Sequence, residues 1–425
     1  MSRRLEALWL PQPGAYGSRS ARSPCRYTAY VPDPLAFRDL SLPAGVSADV
    51  ADAEHALLAL DRSPGVARLS SLARFLLRAE AIGSSRIEGL VVSSRRLARH
   101  EAKAVAGITD RDATADAVLG NVAAMRLAVE DTGSRAEVTV DDLVALHERL
   151  LRDDAPHIAG RVRETQNWIG GSDANPCRAA FVPPPPEEVL PLLADLAAFV
   201  SGDATTPLVQ AAVVHAQFET IHPFADGNGR TGRALIHVVL RRRGLTRSVV
   251  APVSPVLATR SRDYLGGLTA FRYDGAADGP EAAYGLAAWV EGFVSAVRRA
   301  AADAVDLSER LEALESSWRE RVGPRAGSAA ARLLPELAAT PVVSAAVVQE
   351  LTGASRSAAF AAVDQLMMAG VLRPLGTGQR DRLFEAREVF AVLTDQERAS
   401  ATESGDTRVE RPIRPARARL PHSGR

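Results

Sequence analysis

Residues 222–233 read HPFADGNGRTGR. A histidine and an acid precede three glycines, and two arginines and an asparagine are set among those glycines. Glycines let a backbone approach a ligand closely or adopt positive φ, whereas a solvated loop would mix them with serine and threonine. On both sides the pattern is helical and apolar: LVQAAVVHAQFETI before the stretch and ALIHVVL after it. Helices apolar around most of their circumference are buried at a domain centre. The stretch is therefore a turn at the heart of a mainly helical domain, with polar groups that need partners there.

The rest of the composition narrows what those partners are. The 425 residues suffice for two or three domains, and the hydrophobic fraction of 46% suits a globular chain. No run of apolar residues reaches the length of a membrane span, and the opening MSRRLEALWLPQPG lacks the apolar core of a secretory signal. No membrane association is expected. Cys25 and Cys177 are the only cysteines, which suggests neither a disulfide framework nor a metal cluster and points to a reducing cytoplasm. Zero formal net charge argues against binding dominated by nucleic-acid phosphates. Lys103 is the sole lysine, so Walker A and kinase β3 chemistry is excluded. Any phosphate is held by arginine and backbone N–H groups.

Along the chain, residues 1–45 are rich in proline, serine and arginine and have no clear period, so an irregular segment is expected. Helical spacing begins near residue 46 and dominates to about residue 320, with Thr139 as an N-cap for TVDDLVALHERLL. It breaks at residues 161–186, where Gly170-Gly171 and Asn175-Pro176 flank strand-forming residues and a hairpin is expected at 166–182. Residues 325–395 read as helix, turn at Gly353, helix and then a hairpin around Gly376, the outline of a winged helix-turn-helix. Residues 396–425 are charged and aperiodic, and a disordered tail is expected.

GNGRTG at 227–232 satisfies G-x-G-x-x-G, but a helical pattern precedes it and no acid lies near Ser248, so the dinucleotide fold is rejected. A plain helix-to-helix turn would explain the glycines. It would leave Arg230 and Arg233 at a helix start, opposing the macrodipole unless an anion sits there. A phosphate cradle accounts for all of it. Glycines admit the phosphates and first-turn N–H groups form a nest. Arg230 and Arg233 face the same anion, Asp226 can offer Mg²⁺ an oxygen, and His222 can take a proton from an incoming hydroxyl. His215 and His237, near the motif, read as core histidines bonded locally and not as metal ligands with His222.

On these residues the sequence resembles the Fic (filamentation-induced-by-cAMP) proteins, whose motif is HxFx[D/E]GNGRxxR. His222, Phe224, Asp226, Gly227, Asn228, Gly229, Arg230 and Arg233 match it. LHERLL at 146–151, RETQNWIGG at 163–171, FVPPPPEEV at 181–189 and EAIGSSRIEG at 80–89 extend the likeness. The resemblance implies a Fic-type helical core at 111–320 with a small β-hairpin flap, behind an N-terminal helical region at 46–110.

It further implies a nucleotidyltransferase that moves AMP from ATP to a Ser, Thr or Tyr hydroxyl of a target protein, or of itself. His222 would be the base, Asp226 the Mg²⁺ ligand and Phe224 an anchor. Gly227, Asn228, Gly229, Arg230, Gly232 and Arg233 would form the nucleotide site. Arg262 and Tyr264 would line the nucleoside pocket. In one subgroup an S-x-x-x-E-G helix before the core inhibits it; here Ser84 and Glu88 stand four apart, on one face, with Gly89 as the stop. Alternatives are removal of AMP from a modified target, and a DNA-binding regulator that senses nucleotide. Arg356, Arg380 and Arg382 could touch phosphates, but SAAFAAVDQLMM offers little to read bases. Weak or no DNA binding is expected, with protein docking or a homodimer as the module's other use.

Overall fold

The computed structural model describes residues 2–11, 23–63, 66, 71–172, 174–375 and 382–400. The chain is mainly helical. Two strands, β1 (Arg3–Trp9) and β2 (Cys25–Val31), pair antiparallel from Arg3 opposite Val31 to Trp9 opposite Cys25. This corrects the expectation of an irregular N-terminus: each strand is short, and RRLEALW and CRYTAYV alternate only once their partner is known.

Helix α1 (Ala44–Asp61) follows, then α2 (Leu72–Ile87), α3 (Ser94–Val105), α4 (Ala113–Glu130) and α5 (Val140–Leu151). Thr139 caps α5 in a reciprocal capping box, its hydroxyl accepting from the Asp142 N–H while the Asp142 carboxylate accepts from its own N–H. The next helices are α6 (Pro186–Ser201), α7 (Pro207–Ile221) and α8 (Asn228–Arg242). Then come α9 (Val253–Thr259), α10 (Ser261–Phe271) and the 43-residue α11 (Pro280–Val322).

Helix α7 is the centre of the molecule, with Leu208 through Ile221 all buried. Burying a polar side chain costs free energy unless it is bonded, and here the bonds are present. Gln210 donates to the carbonyls of Phe199 and Gly202, Gln217 to that of Asp33, and Trp289 of α11 donates back to that of Ala212. The rigid α7–α8 pair carries HPFADGNGRTGR between its ends.

Between α5 and α6 the expected flap is a loop closed by single bridges, Ile169 to Phe181 and Ser172 to Asn175. The N-terminal hairpin lies against it. The Tyr30 N–H donates to the Val182 carbonyl at 2.9 Å, and Trp9 meets Trp168 edge to face. Cys25 and Cys177 are joined in a disulfide that ties β2 to the flap, with Cα atoms 5.8 Å apart. This corrects the expectation of unpaired cysteines, since partners 152 positions apart cannot be matched by spacing. The cytoplasmic location inferred from cysteine count loses that support.

The C-terminal part contains α12 (Ala329–Leu333), β3 (Val342–Val343), α13 (Ala345–Thr352) and α14 (Arg356–Met368). Strands β4 (Arg373–Leu375) and β5 (Leu383–Glu385) and helix α15 (Arg387–Ser400) complete it, the sheet being ordered β3-β5-β4. The expected hairpin tip at Gly376 lies outside the described residues. Helix α15 extends to Ser400, five residues into the stretch 396–425 expected to be a tail; its apolar Val389 and Phe390 are buried and seat it. Residues 401–425 lie outside the described ones.

This part packs on the N-terminal helices. Arg95 and Arg99 of α3 both bond the buried Glu385, Arg74 pairs with Glu336, and the Trp318 indole donates to Glu388. Arg356 and Arg382 are exposed, and Arg380 lies outside the described residues. Among the described residues, no helix is long and apolar enough to cross a membrane.

Candidate active site

His222 ends α7 in the left-handed conformation, φ 49°, the one non-glycine residue with positive φ among those described. That backbone is unfavourable for a residue with a Cβ and persists where the surroundings hold it. Two side chains from the flap region do so. Arg163 Nε donates to the His222 carbonyl at 2.9 Å, and Asn167 Nδ2 donates to the carbonyls of His222 and Phe224. The Phe224 ring lies flat on His147, centroids 3.7 Å apart. His147 Nδ1 accepts from the Gly160 N–H, so Nε2 carries the hydrogen and donates to the Asp226 carbonyl at 3.0 Å. Arg163, Asn167 and His147 were not singled out from the sequence, although LHERLL and RETQNWIGG contain them; helical spacing says nothing of a carbonyl some 60 or 80 residues away.

Gly227 follows at φ 74° and begins α8. The Asn228 amide is spent within the loop, its oxygen accepting from the Phe224 N–H and its nitrogen donating to the Phe224 carbonyl, both at 2.8 Å. It shapes the turn and offers no side-chain donor to a ligand. A Cβ on Gly232 would come within 3.0 Å of Glu219 and Phe218, so this glycine serves the packing of α8 on α7. Phe224 is likewise a core anchor. The other expected residues do converge. Asp226 is half-exposed, one oxygen accepting from the Gly227 N–H and the other 3.7 Å from Arg230. Arg230 is buried, and its Nε and Nη1 find no hydrogen-bond partner among the described residues.

Arg233, 1% exposed, is fully engaged. Its Nε donates to Ser84 Oγ and its Nη2 to the Ser84 carbonyl, both at 2.9 Å; Nη2 also donates to Glu88 Oε1 at 2.7 Å. Glu88 caps α2, and Gly89 at φ 82° turns the chain away. A Cβ on Gly229 would collide with the Glu88 carboxylate. The Glu88 carboxylate thus lies against the first turn of α8 at Gly229 and bonds Arg233. Glu88 beside Arg233 raises the guanidinium above its ordinary value against the effect of burial.

The neighbouring histidines have local partners: His215 Nε2 bonds the Tyr264 hydroxyl at 2.8 Å, and His237 Nε2 lies 3.1 Å from the Glu80 carboxylate. Tyr264 is buried in this cluster, and Arg262 is exposed on α10. Burial lowers His147 to about 4 and His215 to about 3, and burial with Arg163 and Arg272 nearby lowers His222 to about 3. These histidines fold neutral, whereas in the unfolded chain they protonate near 6.5. Their contribution to stability is complete above that value and is lost as pH falls toward 4 and 3. Urea midpoints measured from about pH 7 down to about pH 4 should fall progressively. Constant midpoints across that range would contradict the assigned protonation states.

Among the described residues, no three His, Cys, Asp or Glu cluster as a metal cage. Asp226 is the half-exposed carboxylate there that could give an oxygen to Mg²⁺, which takes one or two carboxylates and completes its shell with other oxygens and water. Asp226 would hold it.

Residues 137–240 match the Fic/DOC family, and residues 47–130 the Fic/DOC family N-terminal region. Protein adenylyltransferase fic-1 of Caenorhabditis briggsae is 36% identical over 120 residues, 28% of this chain and 22% of that protein. Protein adenylyltransferase Fic of Drosophila grimshawi is 32% identical over 130 residues, 30% of this chain and 25% of that protein. The chain thus spans about a quarter of the length of these curated relatives. A Fic family protein from Desulfovibrio desulfuricans G20 shares the fold, with TM-score 0.50 and 21% identity over 81% of this chain and 97% of that one. The chain thus carries a match to the Fic/DOC family at residues 137–240, preceded by a match to that family's N-terminal region at residues 47–130.

Proposed function

We propose that this protein is an adenylyltransferase that moves AMP from ATP to a Ser, Thr or Tyr hydroxyl of a target protein or of itself, and that Glu88 holds it inactive. The observation that carries the proposal is the carboxylate lodged at the start of α8, in the space left by Gly229 and against Arg233. A helix N-terminus flanked by buried guanidiniums is an anion site, and here an internal anion fills it. The relatives' names agree with the chemistry.

His222 remains neutral at physiological pH and is 18% exposed, so it can accept a proton from a hydroxyl presented along the flap. Arg230 and Arg233 would hold the phosphates. Mg²⁺ bound at Asp226 would neutralise phosphate charge. Phosphoryl-type transfer asks chiefly for positioning and charge stabilisation, and α7 and α8 supply a rigid frame for both.

Asp226→Ala, made in the Glu88→Gly chain, should lose Mg²⁺-dependent turnover while the fold persists, since the side chain is half-exposed and its partner Arg230 is 3.7 Å away. Incubation of the Glu88→Gly chain with labelled ATP, Mg²⁺ and a cell lysate tests the whole reading, and an Asp226→Ala variant matching that parent in rate and metal titration would reduce Asp226 to a turn residue. An AMP-modified protein supplied in the same assay would release free AMP if removal were the activity. Duplex DNA binding that survives loss of labelling would favour a regulator.

A further inference from the structure

Glu219 lies one helical turn before His222 on α7, is 7% exposed and belongs to no ion pair shorter than 3.9 Å among the described residues. Its Oε2 stands 3.9 Å from His222 Nδ1, a buried nitrogen with no hydrogen-bond partner among the described residues. Its Oε1 is likewise buried and unpartnered, pressed on α8 where Gly232 lacks a side chain. An unpartnered buried nitrogen of the expected base thus faces, across 3.9 Å, a carboxylate whose other oxygen is buried and unpartnered. Leaving either unpaired is costly, and a modest side-chain rotation would join them.

We propose that Glu219 is the positioning residue for His222: its carboxylate accepts the Nδ1–H and thereby keeps Nε2 free to take the proton of the incoming hydroxyl. The role rests on the adenylyltransferase reading. In the transfer, the hydroxyl oxygen bonds to the α-phosphorus of ATP as the bond from that phosphorus to the bridging oxygen breaks. Pyrophosphate leaves with the electron pair, and the hydroxyl proton moves to Nε2. The resulting imidazolium then faces a carboxylate across Nδ1, which stabilises the charge and passes no proton itself. The Glu219 backbone carbonyl also faces the His222 ring, on the same element.

The charges around Glu219 come from every packed element: Arg233 on α8, Arg272 after α10, Tyr264 on α10, Glu88 after α2, and His215 and His222 on α7. Burial raises the carboxyl to about 7, Arg233 and Arg272 oppose that, and Glu88 adds to it. Since His222 itself lies near 3, an acidic limb in the neutral range would report Glu219 and not the base.

The test uses the full chain carrying Glu88→Gly, with and without Glu219→Gln. A glutamine can present either C=O or NH₂ to Nδ1, so the tautomer lock is lost while size is kept. AMP incorporation in the Glu88→Gly protein should fall as pH drops through a midpoint at or below about 7. Adding Glu219→Gln should remove that limb and lower kcat by at least about tenfold, with KM for ATP changed less than about twofold. Nitrogen-15 spectra of the His222 ring, read without nucleotide, should show Nδ1–H in the parent and a mixed tautomer in the variant. Unchanged tautomer and pH profile would overturn the proposal and assign the ring to the backbone carbonyl. If Glu88→Gly incorporates no AMP, the transferase reading fails, and the ring spectra still decide whether Glu219 orients His222.

Discussion

His222→Ala, made in the Glu88→Gly chain, is expected to abolish AMP transfer, by at least about a hundredfold, while ATP affinity stays within about twofold. The histidine sits apart from Arg233: Ser84 and Glu88 each accept from Arg233, and His222 is bonded to none of the three. Removing its imidazole therefore takes away the proton acceptor and leaves the phosphate partners in place. Alanine keeps the Cβ that the left-handed φ of 49° must tolerate, so the turn held by Arg163 and Asn167 should persist. Initial rates with labelled ATP, paired with calorimetric ATP binding, check it. Transfer at the parent rate would remove His222 from the chemistry.

Glu88→Gly should act in the other direction, raising transfer by at least about tenfold. Arg233 is buried with one carboxylate, and a γ-phosphate arriving at the start of α8 must compete with Glu88 for it. On the proposed reading, with Glu88 present bound ATP would not settle its phosphates on Arg233, and a displaced α-phosphorus would be out of line with the hydroxyl. The same change has a stability cost. Breaking a buried pair by removing one member costs about 3–5 kcal/mol, a figure that is an upper bound here because Glu88 is 19% exposed and Arg233 keeps both bonds to Ser84. ATP with Mg²⁺ should restore much of that loss by replacing the missing anion. Thermal unfolding with and without nucleotide measures it, and a variant as stable as wild type without ATP would show that Glu88 and Arg233 do not interact in solution.

The helical core was legible because α7 and the ALIHVVL part of α8 are apolar around most of their circumference and the stretch between them has no ordinary loop composition. Arg230, Arg233 and Asp226 stood out in the sequence for a related reason: their charge conflicts with a turn between apolar helices unless partners resolve it. Ser84 and Glu88 were reached through spacing and resemblance, and their bonds to Arg233 follow that spacing.

Tertiary partners were not legible. Arg163, Asn167 and His147 act on backbone carbonyls of the turn, and one-dimensional periodicity carries no information about such distant acceptors. Asn228 and Gly232 look like ligand contacts in a string, yet their surroundings turn one onto Phe224 and the other onto Glu219. The N-terminal hairpin and the Cys25–Cys177 bond escaped notice because each half is short and the pairing lies in space.

The central claim is that Glu88 and the nucleotide contend for Arg233. Labelled AMP incorporation in four purified proteins, wild type, Glu88→Gly, Arg233→Ala and the double variant, tests it in one measurement. The expected result is strong labelling of Glu88→Gly alone, with the double variant as silent as Arg233→Ala because the cation itself is gone. Equal labelling of wild type and Glu88→Gly, or a double variant as active as Glu88→Gly, would contradict it.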